Sequence, residues 1–247
     1  RLFDPETGIV EPLYLYQSRE RLTEAQLNLK PWGSLFVVFS SYPVVSVHSS
    51  NLDKISSITN DGSSAEGEVS GNGSFFLRSS KRLLQASVSN LPAPLALTGP
   101  WFLAKEGKPA RVLENLVSWT QFGGFEDFSG TASYKTRFSL KDIYMDKMAQ
   151  VRLDLGDVRD IADVLVNGRP VGVLWKQPYV VDVRSWIKAG QNELEIRVTN
   201  RLINRMRLLV SLPPPYPDLG DRVTEPVASG LLGPVWLRPV RHLVLTP

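Results

Sequence analysis

Cysteine is absent from the 247 residues, which removes thiolate nucleophiles, iron–sulfur ligation and any disulfide framework. Histidine is nearly absent. His48 and His242, the only two, lie far apart among apolar or small neighbours, so a Ser-His-Asp arrangement or a histidine metal cluster has little to build on. No apolar run approaches the roughly 18 residues of a membrane-spanning helix, so no membrane partner is expected. Long stretches of helical period are missing, as is any fixed-period repeat, which argues against a solenoid or propeller. The glycine-containing stretches have no strand-to-helix setting around them and match neither a P-loop nor a dinucleotide fingerprint, so no nucleotide cofactor is expected. The opening RLFDPETG shows neither an initiating Met nor the apolar core of a signal peptide, and the chain reads as a mature or excised piece.

What is present describes an ordinary globular chain. With 43% hydrophobic and 21% charged residues, it can bury one large core or two modest ones without help from metal or disulfide. Its net charge is +3, yet the basic residues are scattered. Arg201, Arg205 and Arg207 form the one local cluster of note, without an RNA-binding signature or zinc-finger spacing, so nucleic acid is not an expected partner.

The stretch Ala162 to Val183, ADVLVNGRPVGVLWKQPYVVDV, organises the rest. Val164 and Val166, and again Val171, Val173 and Trp175, recur at every second position, the period of a half-buried strand. Asn167-Gly168 between the arms accepts the positive φ angles of a type I′ turn, and Pro170 restricts its strand to a start or an edge. Elsewhere, strands are expected at Leu13 to Tyr16, Ala25 to Leu29 and Leu35 to Phe39, with a turn at Pro31-Trp32-Gly33-Ser34. Loops or short hairpins are expected between Ser49 and Gly73. Phe75 to Leu77 and Leu83 to Val88 read as a strand pair. Tyr134 to Phe138, Val151 to Leu155 and Leu194 to Val198 alternate, Val183 to Ala189 reads as a helical turn ended by Gly190, and Val235 to Leu237 and Leu243 to Leu245 close the chain. Leu91-Pro92-Ala93-Pro94 is the expected boundary, because two prolines remove backbone donors and bias their neighbours toward extended conformations. The fold class is therefore all-β: two β-sandwich domains, residues 1–94, which need not be complete in this chain, and 95–247.

Chemistry is harder to find. Asp154, Asp157, Asp160 and Asp163 recur every three residues, which lacks the alternating ligands and closing glutamate of an EF-hand, so they read as a polar turn with helix-capping aspartates and no metal is expected. A glycosidase needs two carboxylates flanking the scissile bond. For Glu126, Asp127, Asp182 and Glu225 the blander roles of turn, cap and surface loop are available, and no catalytic residue is assigned. Sugar rings stack on aromatic faces while their hydroxyls seek polar side chains, and Trp175, Tyr179, Asn204 and Arg205 offer both kinds, which makes them the candidate carbohydrate-binding residues. Trp119 and Trp236 read equally well as packing residues.

FSGTASYKTRF from Phe128, LDLGDV from Leu153, the hairpin stretch from Ala162, NELEIRVTN from Asn192 and SGLLGPVWL from Ser229 together resemble the C-terminal part of family 106 glycoside hydrolases, the bacterial α-L-rhamnosidases. DPETG, PWGSLFVVF from Pro31 and LPAPLALTGPW from Leu91 extend the resemblance over most of the chain. It implies a β-sandwich followed by a galactose-binding-like jelly roll of the kind also found in family 2 glycosidases. It further implies a noncatalytic C-terminal fragment that supports a missing (β/α)₈ catalytic barrel domain or binds rhamnose-containing glycans, in an extracytoplasmic setting, periplasmic or secreted. The sequence departs from the family after Asn204-Arg205, where Met206-Arg207-Leu208 replaces a path toward a Gly-Asp pair. A free-standing carbohydrate-binding module and a purely structural interaction domain are the alternatives.

Overall fold

Alternation in the sequence becomes strand pairing nearly throughout the computed structural model, which describes residues 1–20, 22–31, 33–39, 45–146, 149–207 and 225–247. Helix is confined, among the described residues, to Ile203–Arg207 and two 3-10 turns, Trp119–Gln121 and Asp142–Met145. The protein is all-β. Its chain divides into two compact units, the first made of Arg1–Ala93, Asp146–Gln150 and Pro239–Pro247, the second of Pro94–Met145 and Val151–Arg238.

In the first unit, Lys54–Ile58 and Ala65–Val69 form a hairpin, and Arg241 to Leu245 of the last strand, Trp236–Leu245, add to its Ala65–Val69 arm. Gly73–Ser79 pairs with Leu83–Val88 as the sequence predicts, with Val47–Ser50 on its other side. Val47, Val69, Leu77, Leu84 and Leu245 are the centre of this core. The N-terminal expectations shift. Strands lie at Tyr16–Arg19 and Leu22–Ala25 instead of Leu13 to Tyr16 and Ala25 to Leu29, and only Phe36–Val37 of the Leu35 to Phe39 run is strand. Tyr14 is a buried anchor between segments, its hydroxyl accepting the Ile58 N–H at 3.2 Å and its carbonyl the Val47 N–H at 2.8 Å. Trp32 and the Pro213 to Pro217 run lie outside the described residues.

The second unit carries a six-stranded antiparallel sheet in the order Arg111–Leu113, Trp101–Lys105, Thr131–Leu140, Gly190–Thr199, Ile161–Val166, Arg169–Leu174. Facing strands include Val180–Asp182, Ala149–Asp154 and the start of Trp236–Leu245, with Leu95–Ala96 beside it. Leu194, Ile196 and Val198, and Val151, Leu153 and Leu155, point into the core between the layers, as their alternation requires. The turn Asn167-Gly168 has φ of 53° and 74°, the positive pair that lets Val166 face Arg169 directly. Asn167 is used twice, since its amide also donates to Trp186 O and to Asn192 Oδ1 and accepts from Glu193 N. The second arm corrects one expectation. Val173 and Trp175, expected to be half-buried, stand 58% and 61% exposed, whereas Val171 and Leu174 pack against the core; the pairing with Ile161–Val166 slips by one residue between Val164 and Leu165, a bulge that breaks the strict alternation. Val183 to Ala189 makes a single turn closed by Ile187 N to Val183 O, with Asp182 accepting the Arg184 N–H.

The core's tightest point is polar as well as aromatic. Trp119 and Tyr134 are fully buried and stacked, with ring centroids 6.5 Å apart, and Phe125 and Phe128 pack against the same indole at 5.9 and 5.4 Å. The Trp119 indole N–H donates to the Tyr134 hydroxyl, which also accepts the Leu231 N–H at 3.1 Å. Gly230, at φ 95°, passes so close that a Cβ there would lie 2.5 Å from Trp119 Nε1 and 2.6 Å from Tyr134 Oη. Two rigid rings cannot yield to it. Gly230→Ala should therefore lower unfolding free energy by about 2–4 kcal/mol from overpacking and left-handed strain together, measured by urea denaturation.

Burial pushes the Tyr134 phenol up to about 12, hydrogen bonds from Leu231 and Trp119 opposing it only in part. The folded state thus favours the neutral phenol. Its contribution is complete below the unfolded value of about 10 and is lost as pH rises through the folded value, a fall of roughly 2–3 kcal/mol across that window. Urea midpoints measured from pH 9 upward should trace this decline, and Tyr134→Phe should start lower and decline less steeply.

Candidate functional site

The register of the six-stranded sheet brings one set of loops to a common end. Lys105, Ala132, Val198, Ala162 and Leu174 form a single cross-strand row, so the segments just beyond Lys105, before Thr131, after Thr199, before Ile161 and after Leu174 emerge together. At that end Lys105, Asp127, Phe128, Ser129, Leu202 and Arg205 line a recess of about 290 Å³. The Lys105 ammonium donates to Gly124 O and lies 4.5 and 4.9 Å from the ring centres of Phe125 and Phe128. Arg205 pairs with Asp127 across the opening. Two cations, one carboxylate and an aromatic edge therefore converge on one small space, a combination suited to holding a polar molecule that has one apolar face.

Behind the recess the loops are tied by buried amides. Asn200 accepts the Gly130 N–H at 3.0 Å and donates to Phe128 O at 2.8 Å, fixing the Phe128 to Gly130 wall. Asn204 is 1% exposed; it accepts the Val227 N–H at 2.8 Å and donates to Val227 O and Ser229 Oγ at 2.7 and 3.1 Å. Ser229 N donates in turn to Ser118 Oγ, and Trp119 N to Ser229 O, so the tie continues into the aromatic core. Such buried networks hold geometry firmly when every member is satisfied.

The four residues that the sequence suggests for sugar are not gathered at one point. Arg205 lines the recess, and Asn204 sits behind it with its amide engaged in backbone bonds. Tyr179 is buried, donates its hydroxyl to Asp160 O at 2.6 Å, and has its phenol pushed up by that burial and by the nearby Asp160 and Asp157 charges. Trp175 is on the same end of the sandwich but four strand spacings from Lys105, roughly 19 Å at about 4.8 Å per strand. Its indole is exposed, and the Lys176 ammonium stands 5.4 Å from the ring centre. Lys105, Phe128, Ser129 and Leu202 were not singled out from the sequence, because positions separated by more than 20 and 70 residues meet only through antiparallel register.

The aspartate series is not a set of helix caps. No helix follows them; each carboxylate meets an arginine instead, Asp154 with Arg238, Asp157 with Arg159, Asp160 with Arg201 and Asp163 with Arg197. Among the described residues no group of three or more His, Cys, Asp or Glu side chains converges as a metal cage would require.

The fold and site together define a β-sandwich domain with a loop-end recess. Residues 127–227 match the family described as glycosyl hydrolase 2 galactose-binding domain-like. A protein of Formosa agariphila that bears the name "Putative beta-glucuronidase" is 34% identical over 150 residues, which are 58% of this chain and 13% of that protein. The solved rhamnosidase of Novosphingobium sp. PP1Y is similar in fold, with a TM-score of 0.51 and 20% identity over 81% of this chain and 25% of its own. A β-D-glucuronidase of Dictyoglomus thermophilum aligns with a TM-score of 0.44 and 21% identity over 65% and 29% of the two chains. Residues 127–227 thus resemble a glycosidase galactose-binding-like domain, and the chain spans only a small part of the length of these proteins.

Because Asn204 is spent on the backbone, Asn204→Ala should strand the Val227 N–H, while the Val227 carbonyl keeps the Ser229 hydroxyl at 3.2 Å, and lower unfolding free energy by about 1–3 kcal/mol. Trp175→Ala, at an exposed edge, should change it by less than about 0.5 kcal/mol. Parallel urea titrations of the two variants compare these roles directly.

Proposed function

We propose that this chain is a noncatalytic portion of a glycoside hydrolase resembling an α-L-rhamnosidase, and that it braces the catalytic barrel of the longer enzyme. The observation that carries the reading is where apolar surface is left open. Half of the exposed large apolar side chains among the described residues fall within the first 39 positions, including Leu22 at 77%, Phe36 at 58% and Phe39 at 79%. The small sheet Val10–Glu11, Leu2–Phe3, Phe36–Val37 buries neither of its faces. Apolar surface concentrated in this way marks a docking face. The match to a glycosidase accessory domain and the small fraction of each relative that is covered point to the rest of such an enzyme as the occupant. An extracytoplasmic setting, periplasmic or secreted, belongs to the same proposal, and fractionation of cells producing the full-length enzyme tests it.

A second reading, carbohydrate binding at the loop end, is favoured by the exposed Trp175 indole and by the recess at Lys105 and Arg205. The two readings are compatible in one chain.

Hydrolysis assays of the isolated chain on aryl α-L-rhamnosides and aryl β-D-glucuronides are expected to show no turnover; turnover would overturn the noncatalytic reading. The docking face should bind an apolar dye such as anilinonaphthalene sulfonate, and Phe36→Ser with Phe39→Ser should abolish most of that signal while leaving the urea midpoint nearly unchanged. In the full-length enzyme the same pair should lower the thermal midpoint of the barrel. No effect there would sink the bracing role.

A further inference from the structure

We infer that the recess lined by Lys105, Asp127, Phe128, Ser129, Leu202 and Arg205 holds a single carboxylated sugar residue, a uronate, an assignment that rests on the carbohydrate-binding reading above. Charge is the first argument. Arg205 has one guanidinium nitrogen committed to Asp127, which leaves its remaining N–H donors for another acceptor. Lys105 meets a carbonyl and two aromatic rings, and no carboxylate among the described residues. The lining therefore carries one positive charge more than it neutralises. An ammonium held against aromatic faces is partly desolvated already, so a carboxylate that reaches it gains a charge-assisted hydrogen bond at a reduced desolvation cost.

Size and shape give the second argument. At about 290 Å³ the recess is near the lower limit of ligand pockets, which begin around 300 Å³. That is the size of a single sugar ring. Phe128 and the half-exposed Leu202 supply the apolar wall for a ring face, and Ser129 and the free edge of Asp127 supply acceptors or donors for hydroxyls. A plain carboxylate would leave that wall unused, and a neutral sugar would leave the surplus cation unmatched.

Pre-organisation is the third. Asn200 and Asn204 hold the two lining loops from inside, with every amide hydrogen bond directed at backbone or at Ser229. Two buried asparagines that do so act as positioning residues.

The test is a titration of the 15N-labelled chain with D-glucuronate, and separately with D-glucose, L-rhamnose and acetate, at matched ionic strength. Glucuronate is expected to move the amides of Lys105, Phe128, Ser129, Leu202 and Arg205, with acetate, glucose and rhamnose moving them far less. Lys105→Met, which keeps an apolar stem over the phenylalanine rings, and Arg205→Gln should each weaken the glucuronate midpoint at least tenfold while leaving the unfolding midpoint nearly unchanged. Arg205→Gln stands alone as the test should Lys105→Met fail to fold. Equal responses to glucose and glucuronate at these amides would overturn the carboxylate assignment and leave carbohydrate binding standing, and so would shifts confined to Trp175 and Lys176. An equal response to acetate would reduce the recess to an anion spot and overturn the assignment. Silence with every sugar would overturn both this inference and the carbohydrate-binding reading, leaving the docking face to be judged by its own experiment.

Discussion

The second unit depends on one close approach, the passage of the Gly230 backbone against the Trp119 indole and the Tyr134 hydroxyl. Three consequences meet there. The rings can stack at full burial because the phenol accepts both the indole N–H and the Leu231 N–H, so no polar atom of the pair is stranded in the core. The Gly230–Gly233 strand is thereby fixed against the 131–140 strand, and Ser229 is placed where Ser118, Asn200 and Asn204 can reach it. The recess walls then follow. Asn200 sets Phe128 to Gly130, and Asn204 sets the turn that presents Arg205. Functional geometry at the surface is inherited from a glycine in the core.

Electrostatics adds rigidity of a different sort. The outward face of the six-stranded sheet is laced by Lys135 and Arg197 on Glu195 and by Arg137 on Glu193, while the aspartates of residues 154–163 each hold an arginine. Most of these side chains are substantially exposed, and pairs of that kind add little to stability. Their effect is to keep a broad sheet face charged and self-complementary, which disfavours edge and face association. The first 39 residues present the opposite character, with Phe36 and Phe39 open to solvent. That contrast within one chain is what gives the bracing proposal a place to act.

The sequence motifs that resemble glycosidases are accounted for by this architecture. Tyr134 in FSGTASYKTRF, the bookends Asn192 and Asn200 of NELEIRVTN, and Ser229-Gly230 of SGLLGPVWL are all buried or packed against buried rings. Asn192 donates to Lys188 O and Gly190 O and accepts from Lys188 N, closing the turn that leads into its own strand. These residues build a sandwich. None of them presents a reactive group to solvent, so the likeness tracks the fold and carries no chemistry of its own.

Composition and period were enough to determine that the protein is all-β, because alternation at Val151 to Leu155 and Leu194 to Val198 and the Asn167-Gly168 pair are local properties of pleat and turn. The missing cysteines and scarce histidines likewise limited its chemistry without reference to any fold. What tertiary structure decided is which alternating residues are core and which residues share a site. Val173 and Trp175 recur at the same period as Val164 and Val166, yet they are exposed while Val171 and Leu174 take the core side, because the strand pairing slips by one residue beside Val171, and such a slip is set by the partner strand. Asn204 and Arg205 are neighbours in sequence, but one is sealed in the protein and the other faces the recess. Lys105, Phe128 and Arg205 meet only because antiparallel register returns three strand ends to one place, and register is a property of the assembled sheet, not of any segment within it.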